Sequence, residues 1–157
     1  LAKDIGVSNK EAKHYIESSH AHYSGVDSYM KNVVEKANAD GYVETMFGRR
    51  RNLPELTSSK HMIRAFGERV ARNMPIQGTA ADIIKIAMIK VDERMKAENL
   101  RARLVLQVHD ELIVEAPQDE SMRVALIVQE EMENAVKMSV PLTADAAIGR
   151  TWYDAKG

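Results

Sequence analysis

The sequence contains no cysteine, which excludes disulfides, thiolate metal sites and thiol nucleophiles. That absence fits a reducing cytoplasm. No apolar run approaches the roughly 20 residues that a membrane-crossing helix needs. Internal repeats, low-complexity tracts and long linkers are missing too. No charged-plus-apolar leader stands before Leu1, and Leu1 to Gly6 reads like the end of a helix. The expectation is a piece of a longer protein. Neither sign of charge is in excess: 22 Lys and Arg meet 23 Asp and Glu, for a net charge of -1. The sum alone argues against a dedicated nucleic-acid binder.

What is present is ordinary in amount and uneven in distribution. Apolar residues make up 45% and charged residues 29% of the 157, a composition typical of a soluble globular domain with a real core. Residues 42–73 hold Arg49, Arg50, Arg51, Lys60, Arg64, Arg69 and Arg72 against Glu44, Glu55 and Glu68. Residues 110–133 hold Asp110, Glu111, Glu115, Asp119, Glu120, Glu130, Glu131 and Glu133 against Arg123 alone. A basic middle followed by an acidic end suggests an anion site beside a cation site or a solvated helix.

The local signals predict a mixed chain. Ser8 and Glu11 form a capping-box pattern, so a helix should run from Ser8 towards His22 and stop before Ser24-Gly25. Val26 to Asp40 should form a second helix, with Tyr29, Val33 and Ala37 on one face and Gly41 as its stop. Tyr42 to Leu53 has the composition of a hairpin turning at Phe47-Gly48-Arg49. A helix capped by Ser58 or Ser59 should reach about Arg72 with Ile63, Phe66 and Val70 inward, then break or kink near Asn73 to Gly78 because of Pro75. Thr79 is a fresh cap signal for a strongly amphipathic helix ending near Asn99, carrying Ala80, Ile83, Ile84, Ala87, Met88, Val91 and Met95. Ala102–Val108 and Leu112–Ala116 read as an antiparallel hairpin. Asp119 to Lys137 reads as a helix with Val124, Val128 and Met132 inward, and Leu142 to Ile148 alternates like a strand. The fold class expected is α+β, helices plus a small antiparallel sheet with a β-hairpin that carries the chemistry.

Three constellations carry that chemistry. The first is Gln107-Val108-His109-Asp110-Glu111. Tight hairpin turns favour glycine because φ must be positive. This tip lacks glycine and concentrates an imidazole and two carboxylates instead, a sacrifice of turn propensity that tends to mark function. Adjacent carboxylates are oxygen donors for Mg²⁺; a solvated acidic turn is the plainer alternative. The second is Arg69, Asn73 and Gln77, spaced i, i+4, i+8. On a continuous helix they share a face and are able to bond base edges in a minor groove, or simply neighbouring loops. The third is Arg49-Arg50-Arg51, either a phosphate anchor or a solvated surface paired with Glu44 and Glu55. Methionines such as Met46, Met62, Met74, Met88, Met95, Met122 and Met132 read mostly as core filling, and Trp152-Tyr153 as a packing anchor. His14, His20, His22 and His61 lack convincing metal spacing.

These features occur together in one family. Gln107 to Leu112 resembles the polymerase C motif of bacterial DNA polymerase I enzymes, the family A DNA polymerases. RVARNMPIQGTAA, Arg69 to Ala81, is similar to the segment before it in that family. GYVETMFGRRRNLP, Gly41 to Pro54, resembles the family's Gly-Tyr-Val-x-Thr…Gly-Arg-Arg stretch, and Gly149 to Ala155 its ending around a Trp. The resemblance covers nearly the whole chain in the right order.

It implies a DNA-directed DNA polymerase that adds deoxynucleotides to a primer 3′-end in DNA replication and repair. Its partners would be primer-template DNA and deoxynucleoside triphosphates, and its setting the cytoplasm, beside the nucleoid. Asp110 would be a ligand of two catalytic Mg²⁺ ions, Glu111 a metal-site neighbour and His109 a contact to the primer end. Arg69, Asn73, Gln77 and Gln107 would line the duplex minor groove, and Arg49, Arg50 and Arg51 would lie near the template. Residues 1–78 would be fingers-side helices with the arginine-rich hairpin, and 79–157 the C-terminal palm portion. The family pattern also needs a second metal-ligand Asp on an earlier strand and a fingers helix with a Lys and a Tyr. This sequence has neither, so the 157 residues tested alone are expected to be inactive. A non-catalytic nucleic-acid-binding module and a Mg²⁺-dependent hydrolase using Asp110 and Glu111 are the competing readings; the face of Arg69, Asn73 and Gln77 has no obvious use in the hydrolase.

Overall fold

Local signals near the start of the chain are strong enough to set its first helices. A computed structural model describes residues 2–156, with the side chain of His20 also outside the description. Ala2–Ile5 (α1) is one helical turn, ended by Gly6 at φ 68°. Asn9–His22 (α2) begins at the expected capping box, Ser8 and Glu11 each bonding the other's backbone N–H. Ser24–Asp40 (α3) follows after Tyr23 alone, so Ser24-Gly25 opens a helix rather than spacing two apart. It closes on Gly41 in the left-handed region, φ 77°, whose N–H donates to the Ala37 carbonyl. Any side chain there would add strain of about 1–2 kcal/mol.

The chain divides into two units, Leu1–Ile76 and Gln77–Gly157. In the first, Tyr42–Glu44 (β1) pairs antiparallel with Arg50–Asn52 (β2), Val43 opposite Arg51. The reversal uses Gly48 at φ 78°, and the buried Thr45 hydroxyl accepts from the N–H groups of Phe47 and Arg49. The core of this unit is Ala37, Val43, Leu53, Leu56 and Ala71, with Val33, Val34, Val70 and Met74 against it. Ile63 and Phe66, expected inward, are half exposed, as is Tyr29. Pro54–Thr57 is a short 3₁₀ turn that delivers Leu56 to the core.

His61–Ala97 (α4) is a single helix of 37 residues that runs through Pro75. The helix does not break between Asn73 and Gly78, one of the two outcomes expected there, and the fresh cap at Thr79 is incorrect: Thr79 is buried within the helix. A helix-interior proline costs about 3 kcal/mol. The apolar face supplies the opposing term, because α4 buries Ala71 in one core and Ala87, Val91 and Met95 elsewhere along its length.

In the second unit, Arg103–Val108 (β3) and Glu111–Glu115 (β4) form an antiparallel hairpin. The register slips between Leu104 and Leu106, a bulge at Val105 that leaves both Val105 and Leu106 about half exposed. Bulges re-aim side chains near sheet ends. Ser121–Glu133 (α5) is shorter at both ends than expected. Val91, Met95, Ala102, Val124 and Ile127 make the core, with Leu104, Leu112, Val114 and Val128 packed on it. Polar ties surround it: Arg94 reaches Glu130 at 2.7 Å and Glu131 at 2.8 Å, and Lys90 Nζ donates to the Asn134 carbonyl at 2.7 Å. Leu142 to Ile148 is irregular, which corrects the strand expected there. Alternation by itself makes no strand without a neighbour to bond. Trp152–Lys156 (α6) closes the chain as a short helix where only a packing anchor was expected. Among the described residues no helix is long and apolar enough to cross a membrane.

Candidate active site

The β3–β4 connection is as tight as a hairpin permits. Val108 pairs with Glu111, so the loop is His109-Asp110 alone and Glu111 already belongs to β4. His109 takes the positive φ such a turn demands, 53°. A non-glycine residue there costs of order 1 kcal/mol or more and persists only where its surroundings fix it. Part of that fixing is visible, since the Gln107 side-chain amide donates to the His109 carbonyl.

The turn separates its two carboxylates. Asp110 is exposed and makes no hydrogen bond or ion pair among the described residues. Glu111 is half-buried and fully engaged. Lys156 Nζ donates to one oxygen at 2.9 Å and Trp152 Nε1 to the other at 3.2 Å. The lysine first and the indole second hold the Glu111 carboxyl below its ordinary range. Both carboxylates border an open cleft of about 2000 Å³ that is also lined by Gln77, Gln107, His109 and Trp152.

Arg69, Asn73 and Gln77 fall on successive turns of α4 and are exposed, as a continuous helix requires. Arg69 lies over the Phe66 ring at 5.8 Å, while Asn73 and Gln77 have side-chain amides without partners among the described residues. The three arginines of the β1–β2 hairpin differ from one another. Arg50 is committed, its Nε 3.2 Å from Glu44 and its guanidinium 4.4 Å from the centre of the Tyr42 ring. Arg51 is exposed on β2 and has no such partner among the described residues.

Among the described residues no group of three or more His, Cys, Asp and Glu side chains converges as a metal would need. The donor chemistry at Asp110 suits a hard cation, but supplies only part of a shell. Trp152 and Lys156 were not anticipated at the site. Thr151-Trp152-Tyr153-Asp154 carried the signal, a capping-box spacing in which Thr151 and Asp154 bond each other's backbone N–H.

The sequence and the fold match known proteins closely. The family model described as DNA polymerase family A matches residues 1–154, and the chain belongs to that family. It is 53% identical over 156 residues to DNA polymerase I of Bacillus caldotenax and 52% identical over 156 residues to that of Geobacillus stearothermophilus, each alignment covering 99% of this chain. The chain spans 18% of the length of these relatives. Among solved structures, the polymerase domain of Pol1 from M. smegmatis, in complex with DNA primer-template and dNTP, superposes with a TM-score of 0.93 at 46% identity. That match covers 100% of this chain and 28% of the other.

Proposed function

We propose that this chain is the part of a DNA polymerase that brings Asp110 to the primer end, for template-directed addition of deoxynucleotides by two-metal nucleotidyl transfer. The carrying observation is the state of Asp110: an exposed carboxylate without partners among the described residues, at the tip of a two-residue turn on the rim of a cleft. The M. smegmatis relative, solved with primer-template and dNTP, supports DNA and deoxynucleoside triphosphates as partners. Bound Mg²⁺ would supply two things here, a lowered pKa at the primer 3′-hydroxyl and charge neutralisation on the pyrophosphate leaving group.

The chain's own residues bind and orient. Asp110 offers two oxygens to the metal shell, and Glu111 stands beside it as a supporting carboxylate. The remaining ligands would come from a carboxylate upstream in sequence and from substrate phosphates. His109, fixed in its left-handed conformation, would hold the primer terminus. Gln77 and Gln107 line the same cleft and carry amides suited to minor-groove acceptors, which sit at similar positions in every correct base pair. Arg69 and Asn73 present donors of the same kind. On this reading residues 1–78 correspond to fingers-side elements and residues 79–157 to a palm portion.

The test is a graft. The 157 residues replace the corresponding segment of the Bacillus caldotenax enzyme, and primer extension is measured with Mg²⁺ on mixed-sequence templates. The graft is expected to extend primers under template direction, and the 157 residues alone are expected to extend none. A folded graft that binds primer-template but adds no nucleotide would overturn the proposal.

A further inference from the structure

We infer that Trp152 and Lys156 are positioning residues that keep Glu111 out of the metal shell at Asp110, so that the turn presents one carboxylate rather than two. The inference rests on the reading of Asp110 as a metal ligand. Three groups close on one another. Lys156 Nζ bonds one oxygen of Glu111 at 2.9 Å and Trp152 Nε1 bonds the other at 3.2 Å. Lys156 Nζ also lies 5.4 Å from the centre of the Trp152 ring. Both Glu111 oxygens thus have donors already.

The support behind this clamp is built. Thr151 N–H and hydroxyl donate to Asp154 at 3.1 and 2.8 Å, and Asp154 N–H returns a bond to the Thr151 hydroxyl at 3.2 Å. These bonds start α6 in a fixed place. Gly149 passes so close that a Cβ on it would stand 2.5 Å from the Ala155 nitrogen and 2.9 Å from the Asp154 carbonyl carbon. Only glycine permits that approach. The side chains of the clamp are substantially exposed, where an ion pair contributes little stability. Its effect is on direction.

Hard cations gain affinity with each carboxylate in the shell, and a released Glu111 would stand next to Asp110 at the head of β4. The clamp therefore holds affinity at the turn down and leaves room for ligands supplied from elsewhere in the complete site.

Trp152 is the one tryptophan of the 157 residues, so a ¹⁵N-labelled chain gives a single indole N–H resonance. The experiment follows that resonance and titrates Mn²⁺, read by paramagnetic broadening of the His109 and Asp110 amides. Glu111→Ala is expected to shift the indole resonance. Lys156→Ala is expected to bind Mn²⁺ roughly fivefold more tightly, as one added charged ligand implies, and Lys156→Arg to bind as the parent does. Gly149→Val, which displaces α6, should behave like Lys156→Ala. Because α6 buries none of its residues, these changes leave the core intact. An unchanged Mn²⁺ affinity in Lys156→Ala overturns the proposal, as does an indole resonance indifferent to Glu111→Ala. Asp110→Ala separates the two ideas: Mn²⁺ binding that survives it refutes the metal role of Asp110, and the indole resonance then decides the clamp by itself.

Discussion

Asp110 and Glu111 are consecutive in the chain and opposite in circumstance. Glu111 is bonded through both oxygens to α6, while Asp110 points to solvent with no partner among the described residues. A tight turn produces this split, because Asp110 is the last loop residue and Glu111 the first of β4.

Gln77 is the residue whose change should act on every template alike. In the graft, Gln77→Ala should slow extension from a matched primer by roughly tenfold, the equivalent of about one hydrogen bond, whatever the terminal base pair. Rates measured on four primers ending in different bases check this. Strong dependence on one base would contradict a minor-groove role.

The arginine hairpin should not behave as a uniform basic patch. Arg51→Ala should reduce the slope of log affinity against log salt for duplex DNA by about 1, as loss of one phosphate contact does. Arg50→Ala should change the slope less and loosen the hairpin instead, since its guanidinium is engaged by Glu44 and Tyr42. Fluorescence anisotropy across a salt series distinguishes the two.

Stability should fall in acid. The Glu98 carboxyl is held below its ordinary value of 4.5 first by Arg123, and Glu111 by Lys156. A carboxyl depressed in the folded state contributes stability that is complete above that ordinary value and lost as pH falls through the folded one. The melting temperature should therefore decline below about pH 4.5, and Glu98→Gln should flatten that decline. A profile unchanged by Glu98→Gln would show that the Arg123 pair is not coupled to folding.

Core truncation should cost far more than surface truncation. Ile127 is fully buried and Met62 is 83% exposed. Ile127→Ala should destabilise by about 2–5 kcal/mol and Met62→Ala by less than about 0.5 kcal/mol, measured by urea unfolding.

The parts of the fold legible in sequence were those set by local chemistry. Ser8 with Glu11, and Gly41 after Asp40, fixed helix ends because the bonds involved span only a few residues. The glycine-free tip at His109-Asp110 was readable because it breaks a local preference, and His109 takes a positive φ of 53° there. Pro75 misled for the complementary reason. Its cost is local, whereas the burial of Ala71, Ala87 and Val91 that holds α4 together is not. The alternation of Leu142 to Ile148 lacked the pairing that makes a strand. The role of Lys156 depends on a contact 45 positions away in the chain, to Glu111, which no local pattern reports.

The most direct measurement is single-turnover nucleotide addition by the graft with Asp110→Ala. Removing the carboxylate proposed as a metal ligand should lower the rate on the order of 10³-fold, the loss of several kcal/mol of charge stabilisation, with primer-template affinity nearly unchanged. A rate within about threefold of the unsubstituted graft, at equal DNA affinity, would contradict the assignment of the chemistry to this turn.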